Sequence, residues 1–567
     1  MDSKKTQFLR YVPLIAVALS ALVMSMLVVS NPTGNYPLND DWSYARVAKT
    51  LIDEHRLSVT PWTLSASITP ELLGAIVGAV FGLSFDTLRG LTQALAVVAI
   101  FAVGYILKKL GTSPAVTLIC LATLLVNPLF FNLSNTFMTD IPGLGLLLCT
   151  CCFFLRYLQH KRYSDLIVAT ALSCSVVLTR QVLVIAPIAF LLTVVFSNIH
   201  EKNRELPNER ELSRDLADDE GRLSKPLPAF LAALPLVASL ACIGVHHLWL
   251  LHFGALPFCY TVEQAYLAKQ MSQGVLIVLL HFSMLNLSAL VYLGLFLLPS
   301  SLACFPAFLL KQSPREKGFL TLLALELGVL LSAGFMLKHI YMPLVDNLIF
   351  DFGLGPILLP GPKPQTGPLI FWQISTILGS LGAGLLDSYM VGALRFLAGL
   401  GKKLNWLLAD RFAIFTTLFF IQYMCVICFR GFFDRYLVAA IPFLLFMIVV
   451  LAKPQASEAT VTGEQNANLE DSVGELRGET GSEPSEGADS VPKASYGGVW
   501  KRLSASLAVL SCVALGAFSA LGVHDYFSMN RARWKAYEFL REKERAKIDD
   551  IDAGMEINDW LFSDPKN

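Results

Sequence analysis

Apolar runs of roughly 18–25 residues recur along almost the whole chain, about the length a helix needs to cross a bilayer. Nothing else in the sequence limits the fold as strongly. In hydrocarbon every backbone N–H and C=O needs a partner, which leaves only helices and closed barrels as spanning structures. Barrel strands would be short and alternating, and these runs are neither. The chain has 567 residues, of which 54% are hydrophobic and 16% charged. A soluble chain of that length would divide into domains with charged surfaces. The expected fold class is all-α, a polytopic integral membrane protein.

Hydropathy gives about thirteen spans. They lie near 12–30, 86–107, 114–131, 141–157, 165–179, 182–197, 229–252, 286–310, 319–337, 369–393, 411–429, 437–452 and 503–522. The first follows Lys4, Lys5 and Arg10 and is long for a signal peptide. Asn31-Pro32 follows it instead of a small-x-small cleavage site, so an uncleaved anchor is expected. Lys and Arg then orient the chain. With the N-terminus inside, Lys108, Lys109, Lys161, Arg162, the loop 198–228 (Lys202, Arg204, Arg210, Arg214, Arg222, Lys225), Lys311, Arg315, Lys317, Lys402, Lys403, Lys501 and Arg502 all fall on the cytoplasmic side. The opposite side collects Asp40, Asp41, Asp140, Arg180, Lys338, His339, Arg430, Asp434 and Arg435.

Four regions follow. Residues 1–452 form the transmembrane core, including an outer loop, 31–85, with interfacial helices at 41–53 and 70–82. Residues 453–499, rich in Glu, Ser, Gly and Thr, are expected to be a disordered acidic cytoplasmic linker. Residues 500–522 make the last span. Residues 523–567 are a small outer tail with a helix at 529–548. Balanced charge implies no nucleic-acid partner. The eleven cysteines lie mostly in apolar spans, with Cys259 nearly alone in a loop, and form no disulfide framework. Cys425 and Cys428 have a CxxC spacing, but inside a membrane helix they are read as packing residues and not as ligands, and the nine histidines show no metal spacing.

Several outer residues carry chemistry. Asp40 and Asp41 follow Asn39, an N-cap candidate, so both acids stand at a helix N-terminus where the dipole favours the charged form. A carboxylate there can take a proton from an attacking hydroxyl or amine; the plainer role is capping. Asp140 precedes Pro142 at another helix start and is either a cap or a second acid facing the same cleft. Arg180, between two apolar spans, is either a snorkelling arginine or a phosphate ligand. Arg435 is placed to meet a phosphate, with Asp434 holding it. Lys338 and His339 close the ninth span and are weaker candidates of the same kind. Glu326 and Asp387 fall inside spans, where acids are costly; no role is assigned to them. His246, His247 and His252 are taken as interfacial.

The run Asp40-Asp41-Trp42-Ser43-Tyr44-Ala45 resembles the start of the first outer loop in polytopic glycosyltransferases that use polyprenyl-phosphate sugars. That group includes protein O-mannosyltransferases and lipid A aminoarabinose transferases. Thr139-Asp140-Ile141-Pro142 resembles the group's second acidic site, and Asp434-Arg435-Tyr436-Leu437, with Pro442 beyond, its late Arg-Tyr-Leu-Leu-Pro segment. The likeness covers residues 10–200 and, locally, 410–445. It implies a GT-C-type fold (a helical membrane core with interfacial helices in the first outer loop) and a lipid-linked donor entering sideways from the bilayer. It also implies Asp40 as base, Asp41 where an Asp or Glu follows, and Asp140 as second acid. Arg180, Arg435 and Lys338 are the donor phosphate-binding candidates. The resemblance departs at the acidic linker, the extra last span and the small outer tail.

The expected function is a glycosyltransferase, inverting, moving a hexosyl or pentosyl group to a glycan, lipid or protein acceptor at the outer face. No cofactor is required; a divalent metal is used by some relatives in the wider fold and is not obligatory here. The expected location is the bacterial inner membrane, with the site facing the periplasm or exterior. The rivals are a lipid-linked glycan flippase or transporter, which would place charges near the bilayer midplane on broken helices, and a non-catalytic lipid-glycan binding protein.

Overall fold

The computed structural model describes residues 2–63, 67–202, 229–345, 347–351, 368–400, 408–453 and 495–562. Helices dominate, with no strand among the described residues. In chain order they are α1 (Asp2–Ser30), α2 (Asp41–Glu54), α3 (Ile68–Phe81), α4 (Phe85–Lys109), α5 (Pro114–Leu125), α6 (Pro128–Ser134), α7 (Asp140–His160), α8 (Tyr163–Val177) and α9 (Ile185–Lys202). There follow α10 (Leu234–His252), α11 (Phe258–Ser272), α12 (Val275–Leu310), α13 (Pro314–Leu337), α14 (Leu369–Leu400), α15 (Leu408–Arg430), α16 (Ile441–Ala452), α17 (Ser495–Glu542) and α18 (Met555–Phe562). Two 3₁₀ turns, Gln181–Val184 and Asp434–Ala439, lead into α9 and α16.

Among the described residues eleven helices are long and apolar enough to cross a membrane. The chain is an integral membrane protein of the expected all-α class. Each of the thirteen apolar runs falls on a helix, and two account for the difference in count. The run at 114–131 is the pair α5–α6, bent by 63°. Pro128 opens α6, and the Asn127 side chain accepts from the N–H groups of Leu129 and Phe130 at 3.0 and 3.1 Å, so the break is a capped helix start. The run at 165–179 is α8, only 15 residues long.

Two expectations change. The last span and the tail helix are one continuous helix, the 48-residue α17. At 1.5 Å per residue it is about 70 Å long, more than twice the roughly 30 Å of a hydrocarbon core. Gly522, where the apolar stretch ends, does not interrupt it, because Val523, Tyr526 and Phe527 beyond it are buried and hold the helix in register. Residues 258–272, taken as loop around Cys259, form α11; its mixed composition hides it from a hydropathy window. The linker expected at 453–499 falls, over 454–494, outside the described residues, as do Arg204, Arg210, Arg214, Arg222, Lys225, Lys402 and Lys403.

Backbone contact at glycine sets the α12–α14–α13 layer. A Cβ on Gly382 would collide with the carbonyl of Gly294, and one on Gly384 with the carbonyl of Ala324. Small residues are what allow helices to approach this closely in lipid. The contact also fixes the rotation of α13, with Leu320, Ala324 and Gly328 buried.

The segment between α1 and α4 is held from two sides. Arg89 of α4 is buried; its guanidinium donates to the carbonyls of Gly34 and Tyr36 and lies 5.2 and 5.3 Å from the rings of Tyr36 and Phe527. The far end of α17 supplies the other side. Tyr36 donates its hydroxyl to the Phe527 carbonyl at 3.1 Å, and Arg531 donates to the carbonyls of Asn31 and Thr33 at 2.8 and 3.0 Å. A buried Arg533–Glu556 pair at 2.9 Å folds α18 back. Trp560 then packs edge-on to Phe85 at 5.0 Å, while Arg46 of α2 lies over its ring at 4.7 Å and donates to its carbonyl.

Candidate active site

The two neighbouring acids separate. The N-cap position belongs to Asp40, not Asn39. Asn39 takes a left-handed φ of +54°, which asparagine tolerates, and its Oδ1 accepts from the Asp40 N–H at 3.0 Å. The Asp40 side chain makes no capping bond. It turns outward instead and accepts from Arg435 Nη2 at 3.0 Å.

Asp41, at the first position of α2, points inward and is fully buried. Its Oδ1 accepts from the Leu38 N–H at 2.7 Å, Oδ2 from the Phe137 N–H at 3.5 Å, and Arg89 Nη2 stands 3.9 Å away. Burial pushes its pKa up to about 7, opposed by Arg89 and the two N–H donors. This carboxyl ties the α2 start to the segment before α7. The folded state then holds its proton over a range where the unfolded chain has released it. The Asp41 contribution to stability is therefore full below the ordinary value near 3.8 and declines until about pH 7. Thermal unfolding midpoints in detergent should fall from pH 4 to pH 7 more steeply for the native protein than for Asp41→Asn; parallel curves would remove this account.

Asp140, the first residue of α7, is buried and paired through Oδ1 with Arg180 Nη1. Arg180 precedes the first 3₁₀ turn in extended conformation, and its guanidinium lies 4.9 Å from the Tyr436 ring. Arg435 lies 5.7 Å from the same ring. The structure thus brings together Asp40, Asp140, Arg180 and Arg435, from four separate parts of the chain, around Tyr436. Tyr44, one turn beyond Asp40, is buried among them. Its phenol pKa is raised by burial and by Asp40, with Arg435 and Arg180 opposing and Asp140 adding a little. Cys259 of α11 is near enough that burial and the Asp40 charge both raise its thiol.

Three atoms of this cluster are buried without a partner: Asp140 Oδ2, and Nη1 and Nε of Arg435. Unpaired donors beside an unpaired acceptor are groups that a polar ligand can satisfy. Of the three acids, Asp40 alone keeps a third of its side chain accessible, 33% against 0% for Asp41 and 1% for Asp140.

Other expected residues lie elsewhere. Asp434 does not hold Arg435; its oxygens accept from the N–H groups of Leu348 and Ile349 at 3.0 and 2.7 Å. Lys338 caps the end of α13, exposed and, among the described residues, without an ion pair, and His339 contacts Tyr341 at 3.1 Å. Arg430 pairs with Glu263 of α11. Sequence reading missed Tyr44 and Arg89 as parts of the site. The first lay inside the quoted motif as a spacer, and the second inside an apolar run. Among the described residues no group of three His, Cys, Asp or Glu side chains is arranged to hold a metal ion.

A cavity of about 650 Å³ lies beside the cluster, between α11, α12 and α15. Its walls include Leu267, Val278, Phe282 and Phe429, and Tyr260, Glu263 and Arg430 are also on its lining. Tyr260 accepts from Gln181 Nε2 at 2.8 Å, which links the cavity to the residue after Arg180.

Residues 66–206 match the sequence profile of a family described as dolichyl-phosphate-mannose-protein mannosyltransferase. The match contains Asp140 and Arg180 and leaves Asp40 and Arg435 outside. No curated relative matches by sequence. Among solved structures, ArnT from Cupriavidus metallidurans bound to undecaprenyl phosphate is similar at 14% identity, over 82% of this chain and 81% of that one, with a TM-score of 0.35. Its apo form is similar at 14% identity over 77% of each chain, with a TM-score of 0.33. Superposition that loose carries no residue roles or geometry across. Over residues 66–206, then, the chain is similar to that mannosyltransferase family.

Proposed function

We propose that the protein transfers a sugar from a polyprenyl-phosphate donor to an acceptor hydroxyl or amine at the outer face of the membrane. The observation that supports this most is the opposed pairing at one end of the bundle: an accessible Asp40 on Arg435, beside Asp140 on Arg180. The apolar cavity next to it suits an isoprenoid tail. The likeness to ArnT, described as bound to undecaprenyl phosphate, suggests that donor class.

In this reading the donor phosphate takes the open Nη1 and Nε of Arg435 and draws that guanidinium from Asp40. Asp40, released, accepts the proton of the acceptor group as its oxygen or nitrogen attacks the anomeric carbon. The bond from that carbon to the phosphate oxygen breaks, and the polyprenyl phosphate leaves with the electron pair. One displacement inverts the anomeric centre. Negative charge grows on the leaving phosphate, so Arg435 and Arg180 act where transition-state stabilisation is worth most. Asp140 fixes Arg180, and Tyr44 lines the space between the charges. The donor brings its own phosphate charge, and no metal enters this scheme. Lys338 stands apart from the cluster and has no part in it.

A transporter would share the bent α5–α6 pair, but that break carries a capping asparagine and no charge. The test uses the purified protein with a panel of polyprenyl-phosphate sugars and an acceptor extract. Release of free polyprenyl phosphate matched by labelled acceptor is expected. Lipid movement between leaflets without release would favour the flippase instead.

A further inference from the structure

Arg430 has no part in the chemistry proposed above, yet it stands on the way to it. It is the last residue of α15 and pairs through Nη2 with Glu263 of α11. Both side chains line the apolar cavity between α11, α12 and α15, and among the described residues Arg430 is the one cation on that lining. Arg430 also lies within electrostatic range of Arg180 and Tyr436, and Arg180 within range of Arg435. Three guanidiniums therefore lead from the cavity to Asp40. Each is held by one carboxylate: Arg430 by Glu263, Arg180 by Asp140, Arg435 by Asp40.

The outermost pair is the open one. Arg430 and Glu263 keep 45% and 35% of their side chains accessible, against 17% and 1% for Arg180 and Asp140. An ion pair this accessible holds weakly, and it yields to a ligand that satisfies more of the guanidinium fork. A phosphate offers that fork paired acceptors. Among the described residues the other nitrogens of Arg430 bond to nothing. Glu263 is also not the only tether of α11. Gln270 Nε2 donates to the Phe429 carbonyl at 3.0 Å, and Gln181 Nε2 to the Tyr260 hydroxyl at 2.8 Å. Release of Glu263 therefore leaves α11 docked.

We propose that Arg430 is the entry site for the phosphate of a lipid-linked donor, and that Glu263 is the carboxylate this phosphate displaces. The inference rests on the donor class proposed above. With the isoprenoid tail in the cavity, the phosphate meets Arg430 first. It then passes Arg180 to the open nitrogens of Arg435, and Glu263 recovers Arg430 behind it. Each move exchanges one guanidinium for the next. The charge is never left without a counter-charge in apolar surroundings, where that is costly.

The test is equilibrium binding of polyprenyl phosphate, and of unphosphorylated polyprenol, to the full-length protein in phosphatidylcholine vesicles. Arg430→Gln should bind polyprenyl phosphate roughly tenfold more weakly and polyprenol as the native chain does. Glu263→Gln should bind polyprenyl phosphate about threefold more tightly, because the competing carboxylate is gone. Opposite signs for the two halves of one ion pair separate a ligand site from a structural contact, whose loss weakens binding in both. Neither inorganic phosphate nor added phosphatidylglycerol should displace the lipid at equal concentration. With sugar-loaded donor, Arg430→Gln should raise the donor KM and not lower kcat. Absence of transfer by the native chain would count against the glycosyltransferase reading alone, since the binding measurements need no turnover. Native-like binding of polyprenyl phosphate by Arg430→Gln, binding by Glu263→Gln no tighter than native, or displacement by inorganic phosphate or phosphatidylglycerol would overturn the entry site.

Discussion

Asp40→Asn should lower turnover about a thousandfold or more, within the range a general base contributes, while insertion and donor binding survive. The substitution keeps the side-chain shape and still offers an acceptor oxygen to Arg435, so the 3.0 Å contact has an uncharged counterpart. What is lost is a group able to carry the acceptor's proton. Turnover followed as labelled acceptor, with polyprenyl phosphate binding measured in parallel, separates the two effects. Retention of a tenth of native turnover would remove Asp40 as the base. Asp41→Asn is the natural control. Its carboxyl is buried against backbone donors and Arg89, so its loss should appear in stability before it appears in turnover.

Arg435→Ala should cost about a hundredfold to a thousandfold in turnover, the scale for removing a preorganised donor from a developing anion. It should also weaken binding of polyprenyl phosphate. Arg435→Lys should recover only part of either loss, because an ammonium cannot present two parallel donors. The 3₁₀ turn should survive both changes, since Asp434 holds Leu348 and Ile349 independently of its neighbour. Asp40 and Arg435 touch, so their effects should not add, and a double-mutant cycle should show strong coupling. Native-like binding with turnover within threefold of native for Arg435→Ala would dismiss the clamp.

The membrane helices were legible because hydropathy over a bilayer's width is a signal each segment carries alone. The same property hid the exceptions. Helix α8 is shorter than a span, α5–α6 is bent within one apolar run, and α11 is too polar for the window. The first acid motif was legible as a helix start, but the roles within it were not. A one-residue shift of the cap, from Asn39 to Asp40, sends one carboxylate outward and the next inward, and that follows from the left-handed turn at Asn39. The pairing of Asp40 with Arg435 spans 395 residues and has no local signature. Charge topology placed both on one side and could go no further. Lys338 satisfied the same criterion and lies apart, which shows how coarse a shared side is as a guide to a shared pocket.

The contact between Arg46 and Trp560 links residues 514 apart in sequence. During synthesis α2 enters the membrane surface long before α17 and α18 exist. Until then the face of α2 that Trp560 covers is bare, and Arg46 lacks the ring and the carbonyl that hold it. The helix that presents Asp40 therefore reaches its final seating late, after the membrane core has assembled around it. A nascent chain interrupted between Arg435 and Trp560 would carry every charged residue of the cluster and still lack the clasp on α2.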